Sequence, residues 1–112
     1  MGRCDVSLDV YLSAVRPTEV YSGNITHNLA RMAEVCGLYR CIWRPEELGI
    51  TKAEALIGHL QEGLKRLRED PDEYRRYNAS NGWGVYEDFV AFVEGYLAAC
   101  VANPDAEVSV WR

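Results

Sequence analysis

Hydrophobic positions along this chain keep two different periods. Near the N-terminus Val6, Leu8, Val10 and Leu12 alternate with Asp5, Ser7, Asp9 and Tyr11. That period of two predicts a half-buried strand, ending near Arg16-Pro17. At the far end Val108 and Val110 alternate with Glu107, Ser109 and Trp111 and predict a second, shorter strand. Residues 17–22 carry a fainter strand pattern. Two-stranded ribbons are marginal alone, so the two terminal segments are expected to pair with each other over the helices.

Between them the period becomes helical. Gly84 to Val101 is the stretch around which the core must form. At about 100° per residue, Val85, Phe89, Phe92, Val93, Tyr96, Leu97, Cys100 and Val101 fill roughly half of its circumference. So wide an apolar face predicts a helix packed on two sides. A first helix is expected from Asn24 to Cys36, with Ser22 or Asn24 as cap, Gly37 as stop and Ile25, Leu29, Met32 and Cys36 as its core stripe. A second runs from Thr51 to Glu69, opened by a Thr51-x-x-Glu54 capping box. Asp70-Pro71 stops it and starts a short helix through Tyr77, and residues 78–84 form a turn-rich loop. Pro45 is placed to open a turn of helix within 38–49. The expected fold is α+β, a two-stranded antiparallel ribbon of the N- and C-terminal segments packed on three or four helices, in a single domain over 1–112.

Composition narrows the function classes. The 112 residues are 48% hydrophobic and 26% charged, with a net charge of −5. Acidity disfavours nucleic acid, whose affinity comes mostly from Lys and Arg on phosphates. No apolar run reaches the length of a membrane span, and the N-terminal residues do not read as a signal peptide, so the expected location is cytoplasmic. Cys4, Cys36, Cys41 and Cys100 are then expected as thiols. Cys36-x4-Cys41 with His27 or His59 is a poor zinc pattern, so neither metal nor cofactor is expected.

The candidate chemistry lies on the first expected helix. Asn24, His27, Asn28 and Arg31 fall at i, i+3, i+4 and i+7, one polar stripe at helical spacing. As a ligand-binding set they would take a small anionic or amide-bearing molecule, with Trp43 and Trp83 as aromatic walls. As structure they would pin the helix start to the preceding loop. Tyr39, Arg40, Trp43 and Arg44, then Tyr74, Arg75, Arg76, Tyr77 and Trp83, form an aromatic-plus-arginine set that more often anchors loops than binds a base. Catalysis would need a carboxylate for His27 from Asp5, Asp9 or Glu19, because its own helix offers none at i±3 or i±4. Glu87 and Glu94 are about 10 Å apart along a helix, wider than most paired-carboxylate sites. Two readings follow: a non-catalytic accessory domain that binds a protein partner or a small polar or anionic ligand, or a small hydrolase or transferase on a nucleotide-like substrate, with His27 as acid–base and Arg31 on phosphate. No catalytic residue and no oligomeric state is assigned.

Four segments carry a resemblance: Tyr21-Ser-x-Asn24-x-Thr26-x-Asn28-Leu-x-x-Met32, Leu38-Tyr39 with Trp43-Arg44-Pro45, Asn81-Gly82-Trp83-Gly84-x-Tyr86-x-x-Phe89, and Asn103-Pro104-Asp105-Ala106. With them the chain resembles a family of small uncharacterised bacterial proteins, similar to ones carried by phages and prophages. The resemblance implies a free-standing domain and no established activity. It places weight on Tyr21, Ser22, Asn24, Thr26 and Asn28. Longer relatives carry an insertion after the Trp-Arg-Pro segment, where this chain has a short loop.

Overall fold

Leu8, Val10 and Leu12 bury one face of a strand whose other face stays half-exposed, and that strand becomes the centre of the sheet. The computed structural model describes residues 7–13, 19–78, 82 and 84–112. Strand β1 (Ser7–Ser13) lies between β2 (Glu19–Thr26) and β3 (Glu107–Trp111), antiparallel to both. The two terminal segments do pair, with Val10 opposite Val110 and Leu12 opposite Val108. The start of the expected first strand, Val6, and its expected end near Arg16-Pro17 lie outside the described residues.

The expected two-stranded ribbon is corrected to a three-stranded sheet by β2. This strand takes the residues read as the start of the first helix, because Tyr21, Ile25 and Thr26 suit an extended chain and register with β1, while Val20 is passed over at a bulge opposite Leu12 and Ser13. Helix α1 is therefore only Ala30–Cys36, reached through a 3-10 turn at His27–Leu29. Thr26 opens that turn by accepting the Asn28 amide on its hydroxyl at 3.2 Å. Gly37, at φ 85°, closes α1 in the left-handed region.

Helices α2 (Tyr39–Trp43), α3 (Glu54–Glu69), α4 (Pro71–Arg75) and α5 (Tyr86–Ala102) complete a set of five among the described residues, one or two more than expected because α2 and α4 are short segments. The expected capping box does not form. Helix α3 starts at Glu54, and its leading amides go to a distant loop: Ala53 to the Ala106 carbonyl at 2.8 Å and Glu54 to that of Pro104 at 3.0 Å. Helix α4 ends two residues before Tyr77, in a turn.

Helix α5 is the core element, packed against α3 on one side and the sheet on the other. It buries Phe89, Phe92, Val93, Tyr96 and Cys100, while Val101 is exposed. Tyr86 donates its hydroxyl to the Leu67 carbonyl at 2.7 Å, and Arg68 pairs with Glu94, both fixing α5 on α3. On the other flank of α3, Gly63 leaves a notch filled by Leu38; a Cβ there would lie 2.2 Å from Leu38 Cγ.

Candidate functional site

The strand-to-helix change at residues 26–30 divides the expected polar stripe. Asn24 sits on β2, opposite Asp9, and its Nδ2 donates to Asp9 Oδ1 at 2.6 Å and Ser7 Oγ at 3.0 Å. His27 and Asn28 lie in the 3-10 turn, and Arg31 is exposed on α1 near Glu34. These four residues do not share one helical face. His27 does meet Trp43: the indole Nε1 donates to His27 Nδ1 at 2.9 Å. Trp43 is buried, stacked on Tyr39 at 5.5 Å, so its ring serves the core. Trp83 lies outside the described residues.

An open cleft of about 630 Å³ runs between β2 and the first half of α5. Gly23, Asn24, Ile25 and Thr26 form one wall, and Asp88, Ala91 and Phe92 the other. Because consecutive β2 residues from both faces of the sheet line it, the cleft follows the strand's edge. Asp88, Ala91 and Phe92 fall at i, i+3 and i+4, one face of α5. Gly84 is packed where this helix approaches β2: a Cβ there would come within 2.9 Å of Thr26 Cγ2 and 3.2 Å of Leu29 Cγ.

Tyr21 shapes the cleft from inside the strand. Its ring lies back over Gly23, whose absent side chain makes room: a Cβ would be 2.8 Å from Tyr21 Oη. It also stacks on Tyr96 at 5.9 Å. Burial, and then the nearby Cys100, raise the Tyr21 hydroxyl above its ordinary pKa, so it is a neutral donor here. Asp88 is the charged residue of the lining, and among the described residues no cation pairs with it. Its neighbour Glu87, by contrast, is held by Arg75 at 2.8 Å.

A second gap, of about 640 Å³, separates α1 from α3 beside Val35, His59 and Glu62. Arg66 reaches across it to donate to the Cys36 carbonyl at 3.0 Å, so its cation already caps a helix end. The three described thiols are poor nucleophiles: burial pushes Cys36 and Cys100 up to about 11 and Cys41 up to about 12, and Cys4 lies outside the described residues. Among the described residues no group of three His, Cys, Asp or Glu converges as a metal ion would require. Among the same residues no helix is long and apolar enough to cross a membrane.

Sequence reasoning did not single out Gly23, Asp88, Ala91 or Phe92 as a site. The signal open to it was the line of small and polar residues, Asp88, Ala91 and Gly95, on the weaker side of an otherwise apolar helix. No family model, curated protein or solved structure matches this chain.

Proposed function

We propose that this chain is a non-catalytic binding domain whose partner is a protein, received in the cleft between β2 and α5. One observation carries the reading: β2 is an eight-residue edge strand, and its outer side opens on a cleft instead of on another element among the described residues. Unpaired strand edges template pairing with other chains. Against an acid–base role for His27 stands its Nδ1, taken by the Trp43 indole, and Asp9, which bonds Asn24. A small accessory protein of bacterial or phage type, working in the cytoplasm, fits such a domain, because its action would come from occupying a partner.

Ala91 is exposed on α5 and lines the cleft; Ala98 is exposed on the same helix and does not. Ala91→Trp fills the cleft while Ala98→Trp places the same ring elsewhere. With the tagged chain as bait in its native host, a specific partner should be lost by Ala91→Trp and kept by Ala98→Trp. Retention of every partner by both variants would sink the reading.

A further inference from the structure

We infer that the outer face of the sheet takes an arginine side chain of a partner protein, with Trp111 beneath its guanidinium and Asp9 as its counter-ion. This contact stands apart from the cleft and does not depend on it. It begins with register. Leu8, Val10 and Leu12 point into the core, so Ser7, Asp9 and Tyr11 alternate onto the opposite face. Asp9 pairs with Trp111 of β3 on one side and with Asn24 of β2 on the other, which sets the three side chains in one row. Tyr11 follows Asp9 on the same face, about 7 Å along the strand, and borders the row with a second ring.

Trp111 is 72% exposed, although the strand that carries it is fixed. Its neighbour Val110 pairs with Val10 in the sheet. The next residue, Arg112, bonds the Trp43 carbonyl and pairs with Glu46. The indole is thus presented from an ordered backbone, in a position that a partner can meet without first ordering it. Tryptophan is among the side chains that most often anchor protein interfaces.

Charge and shape then select the occupant. Opposite residues of an antiparallel pair stand roughly 5 Å apart at Cβ, so a group lying on the Trp111 ring also reaches the Asp9 carboxylate. Asn24 Nδ2 donates to Asp9 Oδ1 at 2.6 Å and so orients that carboxylate. A carboxylate offers about four lone-pair sites, and Oδ2 can take a further donor. Glu107 lies on the same face of β3, beside the bridge to Lys52, and the net charge of −5 favours cations generally. A guanidinium meets both demands at once, because it stacks on an indole and its N–H fork matches a carboxylate. An ammonium answers the charge without the stacking, and a phosphate meets repulsion.

The test uses three capped pentapeptides of Gly and Ser around a central Arg, Lys or citrulline, the last an uncharged mimic of arginine's shape. Each is titrated into the isotope-labelled whole chain, following the indole N–H resonances, which separate Trp111 from Trp43 and Trp83. A single side chain binds weakly, with a dissociation constant on the order of a millimolar or above. The Arg peptide should shift the Trp111 indole and the Asp9 and Tyr11 amides, binding about tenfold more tightly than the citrulline peptide. Asp9→Asn should weaken the Arg peptide about threefold to fivefold. Trp111→Leu, which keeps an apolar side chain without the π face, should weaken it by about the same factor. Ala91→Trp should leave it unchanged. Equal binding of the Arg and citrulline peptides, or shifts that miss Trp111 at saturating peptide, overturn the inference. So does a larger Trp111 shift with maltotriose than with the Arg peptide, which would make the face a sugar platform. If Ala91→Trp abolishes the Arg shifts, the peptide sits in the cleft and the sheet face is not its site. If those shifts persist while Ala91→Trp keeps every captured partner, the cleft reading fails and the sheet face stands.

Discussion

The two outer strands of this sheet share a neighbour and differ in everything beyond it. Along β3 the outer edge is closed: the Val108 amide donates to the Thr51 carbonyl at 2.9 Å, and Lys52 bridges to Glu107. The same short segment feeds α3, whose first amides return to the carbonyls of Pro104 and Ala106. Arg112 adds a bond to the Trp43 carbonyl at 3.0 Å and an ion pair with Glu46 at 2.9 Å. Along β2, which is longer by three residues, a cleft takes the place of such a segment among the described residues. Among the described residues the shorter edge is thus closed with backbone, and the longer one borders a cleft beside a helix.

The largest way to break the contrast is at Gly84, which lets α5 stand close to the end of β2. Its φ of 113° costs any other residue about 1–3 kcal/mol. The added Cβ would also press on Thr26 and Leu29, costing about 1–3 kcal/mol more. Gly84→Ala should therefore lower unfolding free energy by about 2–6 kcal/mol in urea melts. A loss under about 1 kcal/mol would mean that the helix does not depend on this approach.

Opening the closed edge comes next. Val108→Pro removes the amide that bonds Thr51 and leaves a carbonyl wanting a partner, at about 1–3 kcal/mol. Amide exchange should rise through residues 51–54 while that of β2 stays as it was. Equal acceleration on both edges would show that the two sides are one cooperative unit and not separately built.

Gly23→Ala tests the open side more finely. The new Cβ meets only the far end of Tyr21, which can swing away. Losing its stack on Tyr96 forfeits about 0.5–1.5 kcal/mol, while replacing a strand glycine returns about 0.5–1 kcal/mol. Stability should change by less than about 1 kcal/mol while the near-ultraviolet circular dichroism of the tyrosines changes clearly. An unchanged spectrum would place Tyr21 elsewhere. Asn24→Ala is smaller still: an exposed cross-strand pair with Asp9 is worth about 0.2–1 kcal/mol, a shift of a few degrees in a thermal melt. A drop beyond about 2 kcal/mol would show that Asn24 holds β2 in place.

What the sequence made legible, and what it hid, follows from the range of the interactions. The strands β1 and β3 could be read because Leu8, Val10, Leu12, Val108 and Val110 keep a period of two over one buried face. Helices α3 and α5 could be read for the same local reason. Strand β2 was obscured at Gly23, where the apolar position is empty and the Tyr21 ring two residues earlier covers it. Asn24, His27, Asn28 and Arg31 then kept helical spacing by coincidence, across a strand, a turn and a helix. The unused capping box was illegible in principle, since the groups that satisfy α3 lie some fifty residues away, at Pro104 and Ala106. The cleft was hidden too, because Asp88 and Ala91 meet Gly23 only through packing.

The smallest expected effect probes the floor beneath the open side. Tyr96 lies wholly buried under Tyr21, and its hydroxyl has no hydrogen-bond partner among the described residues. Burial, followed by the proximity of Cys100, Cys41 and Tyr21, pushes its pKa up, so the group is a neutral hydroxyl at any pH the fold experiences. An orphaned buried hydroxyl is a desolvation cost without a return, whereas the ring carries the packing against Phe92 at 5.8 Å. Tyr96→Phe keeps the ring and removes only that cost, so stability should stay level or rise by up to about 1 kcal/mol. Tyr96→Ala, which discards the ring, should instead lose about 3–5 kcal/mol, as large aromatic truncations do. The pair of variants separates hydroxyl from ring. If Tyr96→Phe costs more than about 1 kcal/mol, the hydroxyl has a partner in solution, and the floor of the open side is polar where the packing around it is apolar.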